Sequence, residues 1–306
     1  MINLRQTFVF AALLAAVSLP LQARQLPATP GAPAPVTFAP GDLFVSLEYG
    51  EVLWFGADGM LRRVLPQTWP GTAEAMAFDT VGNLYVSRWC NDPFCTAEFG
   101  RVERYNNLGL PLGKVPATFD CSPRSIVFDA AGATYVGQAG CRKSILKFVP
   151  GQVEPTEYLA QEENEGVFWM DLAADGCTMF YTSMGPHVKR YDVCSGTQLA
   201  DFNAEGLPGG VTHDVRLLPD GGVLVSSGEV IARLNSAGVL TQTYAVPPEE
   251  PALWVGFDFT DNGTAFWVGN YHNSNLHKFN LATGAHLANI SVGTPSNSII
   301  AVKVAR

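Results

Sequence analysis

The sequence predicts an all-β fold, a six-bladed β-propeller of four-stranded blades closed by the C-terminal strand pairing into blade one. Three observations carry that prediction. An apolar strand, a glycine turn and a second β-rich strand recur at a spacing of roughly 40 to 50 residues, the range of propeller blades. Six outer hairpins stand against five complete inner ones. The missing inner strand is present as Ser298 to Val304, at the far end of the chain and at the right distance after Gly263 to continue the period.

Taken in order, the N-terminus reads as a secretory signal over residues 1–23: Arg5 supplies the positive end, Phe8 to Leu19 the apolar run, and Leu21-Gln22-Ala23 a small-residue cleavage site. Residues 24–38 form a proline-rich linker that suits neither helix nor central strand. The propeller is expected over residues 39–306. Its first strand, Leu43-Phe44-Val45-Ser46, has only proline-rich sequence ahead of it, so its inner neighbour must come from elsewhere.

Five inner hairpins follow. Ala75 to Phe78 precedes Gly82 and Leu84-Tyr85-Val86; Ser125 to Phe128 precedes Gly132 and Thr134-Tyr135-Val136; Met170-Asp171-Leu172 precedes Gly176 and Met179-Phe180-Tyr181. Val215 to Leu218 then precedes Gly221 and Val223-Leu224-Val225, and Phe257-Asp258-Phe259 precedes Gly263 and Ala265 to Val268. Each pairs β-rich runs through Gly with Asp or Asn beside it, a hairpin signal with a turn mechanism. The outer hairpins begin at Val52, Val102, Ile145, Val188, Val230 and Leu276. Recurring aromatics such as Trp54, Tyr135, Phe180 and Phe266 fit packing between blades.

Composition agrees. The 306 residues are 47% hydrophobic and only 15% charged, with 30 Gly and 21 Pro, which suits short strands and turns. The net charge of -9 and the absence of any basic block argue against nucleic acid or an anionic membrane surface as partner.

The motifs Asp175-Gly176, Lys189-Arg190-Tyr191-Asp192 and Asp220-Gly221-Gly222-Val223-Leu224-Val225 resemble those of NHL-repeat propellers, and the resemblance extends from Gly41 to Arg306. It implies the fold and hardly any particular activity. Streptogramin lyases, the gluconolactonase and senescence-marker group and peptidyl-hydroxyglycine lyases have similar rings, and many NHL proteins only bind.

Six cysteines in an exported chain allow fifteen pairings, and the blade arrangement selects three within blades: Cys90 with Cys95, Cys121 with Cys141, and Cys177 with Cys194.

Loops before the inner strands converge on the axis, which places Glu74, Arg124, Trp169, His213, Trp254 and Asn297, one per blade, as candidate ligand-binding residues. His213 beside Asp214 faces Asn270-Tyr271-His272 of the next blade, so His213 and His272 are the candidate catalytic or metal-binding imidazoles. The plainer reading has His213 and Asp214 hydrogen-bonding neighbouring blade backbones. A lactonase-like resemblance implies a divalent cation, calcium or magnesium, on oxygen ligands that Glu48, Glu74, Asn270 and Asn297 could supply in part. Asp171, Arg216 and Asp258 fall at one position of successive inner strands and read as an ion network between blades. The expected protein is a secreted or periplasmic monomer that binds a small molecule or a protein at its axial face and leaves no membrane span after signal cleavage. A metal-dependent lyase or lactonase is the alternative.

Overall fold

In the computed structural model the described residues are 36–68, 71–89, 100–119, 122–152, 154–246, 252–260 and 262–306. The expected signal peptide, most of the linker, and Cys90, Cys95 and Cys121 lie outside them. Among the described residues no helix is long and apolar enough to cross a membrane.

Strands β1 (Leu43–Leu47), β2 (Val52–Phe55) and β3 (Leu61–Val64) open blade one. Blade two holds β4 (Thr72–Phe78), β5 (Leu84–Trp89), β6 (Arg101–Tyr105) and β7 (Pro111–Lys114). Blade three holds β8 (Pro123–Phe128), β9 (Thr134–Gln138), β10 (Ser144–Phe148) and β11 (Thr156–Leu159). Blade four holds β12 (Met170–Leu172), β13 (Thr178–Tyr181), β14 (Lys189–Asp192) and β15 (Thr197–Gln198). Blade five holds β16 (Thr212–Leu217), β17 (Val223–Ser227), β18 (Val230–Leu234) and β19 (Leu240–Tyr244). Blade six holds β20 (Trp254–Phe259), β21 (Ala265–Asn270), β22 (Asn275–Asn280) and β23 (His286–Ser291).

The last strand, β24 (Ile299–Val304), pairs antiparallel with β1, with Leu43 opposite Val304 and Val45 opposite Val302. Blade one is thus built from both ends of the propeller. The inner strands β24, β4, β8, β12, β16 and β20 each touch the next around the axis, and β20 touches β24, so the ring is closed.

The turns explain the motif. In Asp79-Thr80-Val81-Gly82-Asn83, Asp79 Oδ1 accepts from the Val81 and Asn83 amides at 3.1 and 2.8 Å while Gly82 takes φ +84°, a conformation glycine adopts without steric cost. Asp129 repeats the pair of bonds in blade three, and Asn106 and Asn235 do so in the outer turns of blades two and five.

Blades are held side by side by apolar packing, one buried cluster at each of the six junctions. Tyr135 and Ile145 of blade three meet Met170, Met179 and Tyr181 of blade four; Phe180 and Val188 then meet Val215, Val223 and Val225 of blade five. Each fully buried side chain of this size contributes about 1.5 to 3 kcal/mol.

Of the expected disulfides, Cys177 and Cys194 are bonded, with Cα atoms 5.2 Å apart. Their bridge ties the β12–β13 turn to the β14–β15 turn at one end of blade four. Cys141 is exposed.

Candidate functional site

Side chains reach the axis because the inner strands bulge at one end. Register slips between Ala73 and Met76 in β4, between Pro123 and Ser125 in β8, and between Thr212 and Val215 in β16. In blade one, Ser46 pairs with Ala301 and Leu47 with Ile299, so Ile300 is the extra residue. An inserted residue breaks the two-residue alternation and re-aims its side chain. Glu74, Arg124, His213 and Ile300 are the residues so placed, and all four line one axial pocket of about 150 Å³.

Hydroxyls on the second strands hold the bulges in place. The Ala75 amide donates to Ser87 Oγ at 3.0 Å and the Asp214 amide to Ser226 Oγ at 2.9 Å. Thr182 Oγ1 accepts from the Trp169 amide at 3.1 Å and donates to the His213 carbonyl of the next blade at 2.5 Å.

Around the pocket stand Phe168, Trp169, Leu253, Val255 and Tyr271, so its walls are mostly rings and aliphatic chains. Arg124 Nη1 donates to Glu74 Oε1 at 2.5 Å, and the guanidinium lies 4.3 Å from the Trp89 ring centroid and 5.1 Å from that of Phe168. A desolvated cation between two aromatic faces is attracted by both. Among the described residues, Arg124 Nε is buried without a hydrogen-bond partner. Burial raises the Glu74 carboxyl above the ordinary carboxylate range, against the pull of Arg124. Glu48, half-buried nearby, is raised for the same reason. Burial pushes His213 down to about 4, so its imidazole is neutral at pH 7. Its ring sits 6.0 Å from that of Phe168. Trp169 also joins the buried cluster of blades one and two.

Glu74, Arg124, Trp169 and His213 are therefore brought together as the sequence predicts. Trp254 and Asn297 are not. Leu253 and Val255 line the pocket from blade six, and alternation turns the intervening Trp254 sideways; it is fully buried with Tyr244 and Phe266, its Nε1 donating to the Glu229 carbonyl at 3.0 Å. Asn297 is exposed at φ +60°, its amide bonded to the Tyr271 carbonyl at 2.8 Å, and Ile300 takes its place at the axis. His272 is exposed in the turn after β21 and does not line the pocket that holds His213. Phe168, next to Trp169, and Tyr271, in the loop expected to face His213, also line the pocket.

Arg88, near the end of β5, is buried in blade two, paired with Glu103 and donating to the Gly50 carbonyl at 2.6 Å. Asp214 does bond neighbouring backbone: its Oδ2 accepts from the Phe257 amide of blade six at 2.7 Å.

The axial residues do not fit a divalent cation. Glu74 Oε1 is engaged by the Arg124 guanidinium. Among the described residues, the groups of three His, Cys, Asp or Glu donors within 4.8 Å of one another are Cys177, Asp192 and Cys194, and Glu163, His187 and Asp201. The first is spent on a disulfide. In the second, the Lys189 ammonium already lies 3.0 Å from Asp201 Oδ2 and 3.5 Å from Glu163 Oε1. Neither lies among the residues that line the axial pocket.

No family model and no curated protein matches the sequence. Solved structures match by shape. A protein of unknown function from Bacteroides caccae superposes with a TM-score of 0.66 at 13% identity, over 86% of this chain and 98% of that one. A chain of a nidogen/laminin complex gives 0.63 at 13% identity, over 85% and 97%. The chain is a six-bladed β-propeller. A catalytically inactive virginiamycin B lyase from Staphylococcus aureus, solved with quinupristin, gives 0.56 at 13% identity over 75% of this propeller and 73% of the lyase. At such identity the likeness is one of fold.

Proposed function

We propose that this propeller is an exported binding protein whose axial pocket takes a small ligand with an aromatic or aliphatic body and one hydrogen-bond-accepting group. The supporting observation is the Arg124 clamp: a guanidinium fixed between Trp89 and Phe168 and paired with Glu74, its Nε without an acceptor among the described residues. An apolar pocket with a few oriented polar groups is the usual form of a small-molecule site. A proton-transfer role is less well supported, because among the described residues no carboxylate is bonded to the His213 ring, and burial keeps it neutral. Export accords with the N-terminal apolar run and with the Cys177–Cys194 bridge.

Ligand-observed NMR with phenylacetate, benzamide and benzylamine tests the reading. Phenylacetate or benzamide should bind, and Phe168→Ala or Arg124→Lys should weaken that binding about tenfold, since lysine keeps the charge and loses the stacked plane. Equal binding by both variants, or preference for benzylamine, overturns it. Quinupristin, the ligand of the lyase neighbour, should be recovered unchanged after incubation with the propeller and magnesium; conversion to a product would make the protein a catalyst.

A further inference from the structure

The opposite end of the axis holds a second cavity, of about 390 Å³, to which all six inner strands contribute. Its floor is the ion network expected around Arg216, enlarged by Asp214, Lys303 and Arg306. Arg216 Nη1 donates to Asp214 Oδ1 at 2.8 Å, and its Nε lies 3.9 Å from Asp258 Oδ1. Lys303 Nζ stands 3.0 Å from Asp258 Oδ2, and Arg306 Nη2 stands 2.9 Å from Asp258 Oδ1.

A count of donors and acceptors shows what this floor lacks. A carboxylate has about four lone-pair sites. Asp258 uses them on Lys303, Arg306, the Phe259 amide at 3.1 Å and the Val304 amide at 3.1 Å. Asp214 is engaged by Arg216 and by the Val215 and Phe257 amides, and Asp171 by the Leu172 and Leu217 amides. The cations keep capacity: an ammonium has three N–H donors and a guanidinium five, yet Lys303 and Arg306 each spend one on Asp258. The surplus is of donors, and it asks for an acceptor-rich anion.

A wider cavity of about 560 Å³ adjoins the first, sharing Asp171, Leu217, Phe259 and Arg306 with it. Its walls are apolar, drawn from Leu172, Leu218, Pro219 and Leu281 of blades four, five and six. Arg306 stands where the two meet.

We propose that this end of the propeller is a second ligand site for an aliphatic monocarboxylate, its head held by Arg216, Lys303 and Arg306 and its tail laid along the apolar wall of blades four to six. The site uses no residue of the Arg124 pocket and stands whether or not that pocket binds a ligand.

Calorimetric titration with octanoate, octanol and acetate tests the proposal on the intact chain. Octanoate should bind saturably, with octanol and acetate at least tenfold weaker. Arg306→Gln alters a side chain that is 55% exposed, so the fold is kept, and it should weaken octanoate about tenfold. Ala174→Glu, on the exposed wall of the apolar cavity, should weaken octanoate and leave acetate unchanged. Phe168→Ala should leave octanoate binding intact. No octanoate binding, octanol binding as tight as octanoate, indifference to Arg306→Gln or Ala174→Glu, or loss in Phe168→Ala would each overturn it.

Discussion

His213 is neutral because its ring faces Phe168 and aliphatic walls rather than water, and that neutrality has a thermodynamic signature. Its folded value of about 4 lies below the ordinary 6.5, so its contribution to stability is full above 6.5 and is lost as pH falls toward 4. The loss amounts to on the order of 3 kcal/mol. Buried His277 acts in the same direction, while Asp214, raised to about 6, favours the folded state on the acid side of that value. His213→Phe should therefore flatten the decline in urea-unfolding free energy between pH 7 and 4.5; an unchanged slope would contradict the buried neutral imidazole. Glu74, Arg124, Trp169 and His213 were legible in the sequence because each stands just ahead of, or at the start of, an apolar strand. Trp254 and Asn297 occupy similar sequence positions and fail, since the turn of each side chain depends on which residue bulges. In blade six the register slips at Gly256, where a Cβ would collide with the Cα of Ala301. That close approach involves a strand far away in the chain, and no local pattern announces it.

Among the elements, blade four is the least regular. β12 has three residues and β15 two, so fewer ladder bonds hold its edge than in β22 and β23, which have six each. The Cys177–Cys194 bridge joins two turns of this short blade. Replacing both cysteines with serine should lower stability by about 2 to 4 kcal/mol, read from urea unfolding, and reductant should then have no further effect on this bridge. Equal stability of the double variant and the parent would show the blade to be held by packing alone. Hairpin positions were legible throughout because Asp or Asn with Gly fixes the turn. The links between blades were only half legible. Asp171, Arg216 and Asp258 stood out by their shared strand position, yet Asp171 also accepts the Leu217 amide and Asp258 the Val304 amide, so each inner-strand acid fastens the next blade's backbone. Asp214, which the plainer sequence reading assigned to neighbouring backbone, does the same for Phe257.

At the scale of the whole molecule, β24 supplies the inner strand of blade one and neighbours both β20 and β4. Its Ile299, Ala301, Val302 and Val304 are buried. Their loss would remove on the order of 5 kcal/mol or more of burial, comparable with the whole stability of many domains. Deleting residues 298–306 should therefore abolish the single cooperative unfolding transition seen by circular dichroism; a truncated chain melting like the parent would refute closure by this strand. The same pairing governs the order in which the protein can mature. Chains are made from the N-terminus, so β1 emerges first and finds its inner partner last, after some 250 further residues have appeared, a contact of the kind that slows folding. Until then the apolar face of Leu43, Val45 and Leu47 presents an open strand edge, the point at which a newly made chain is most exposed to pairing with another.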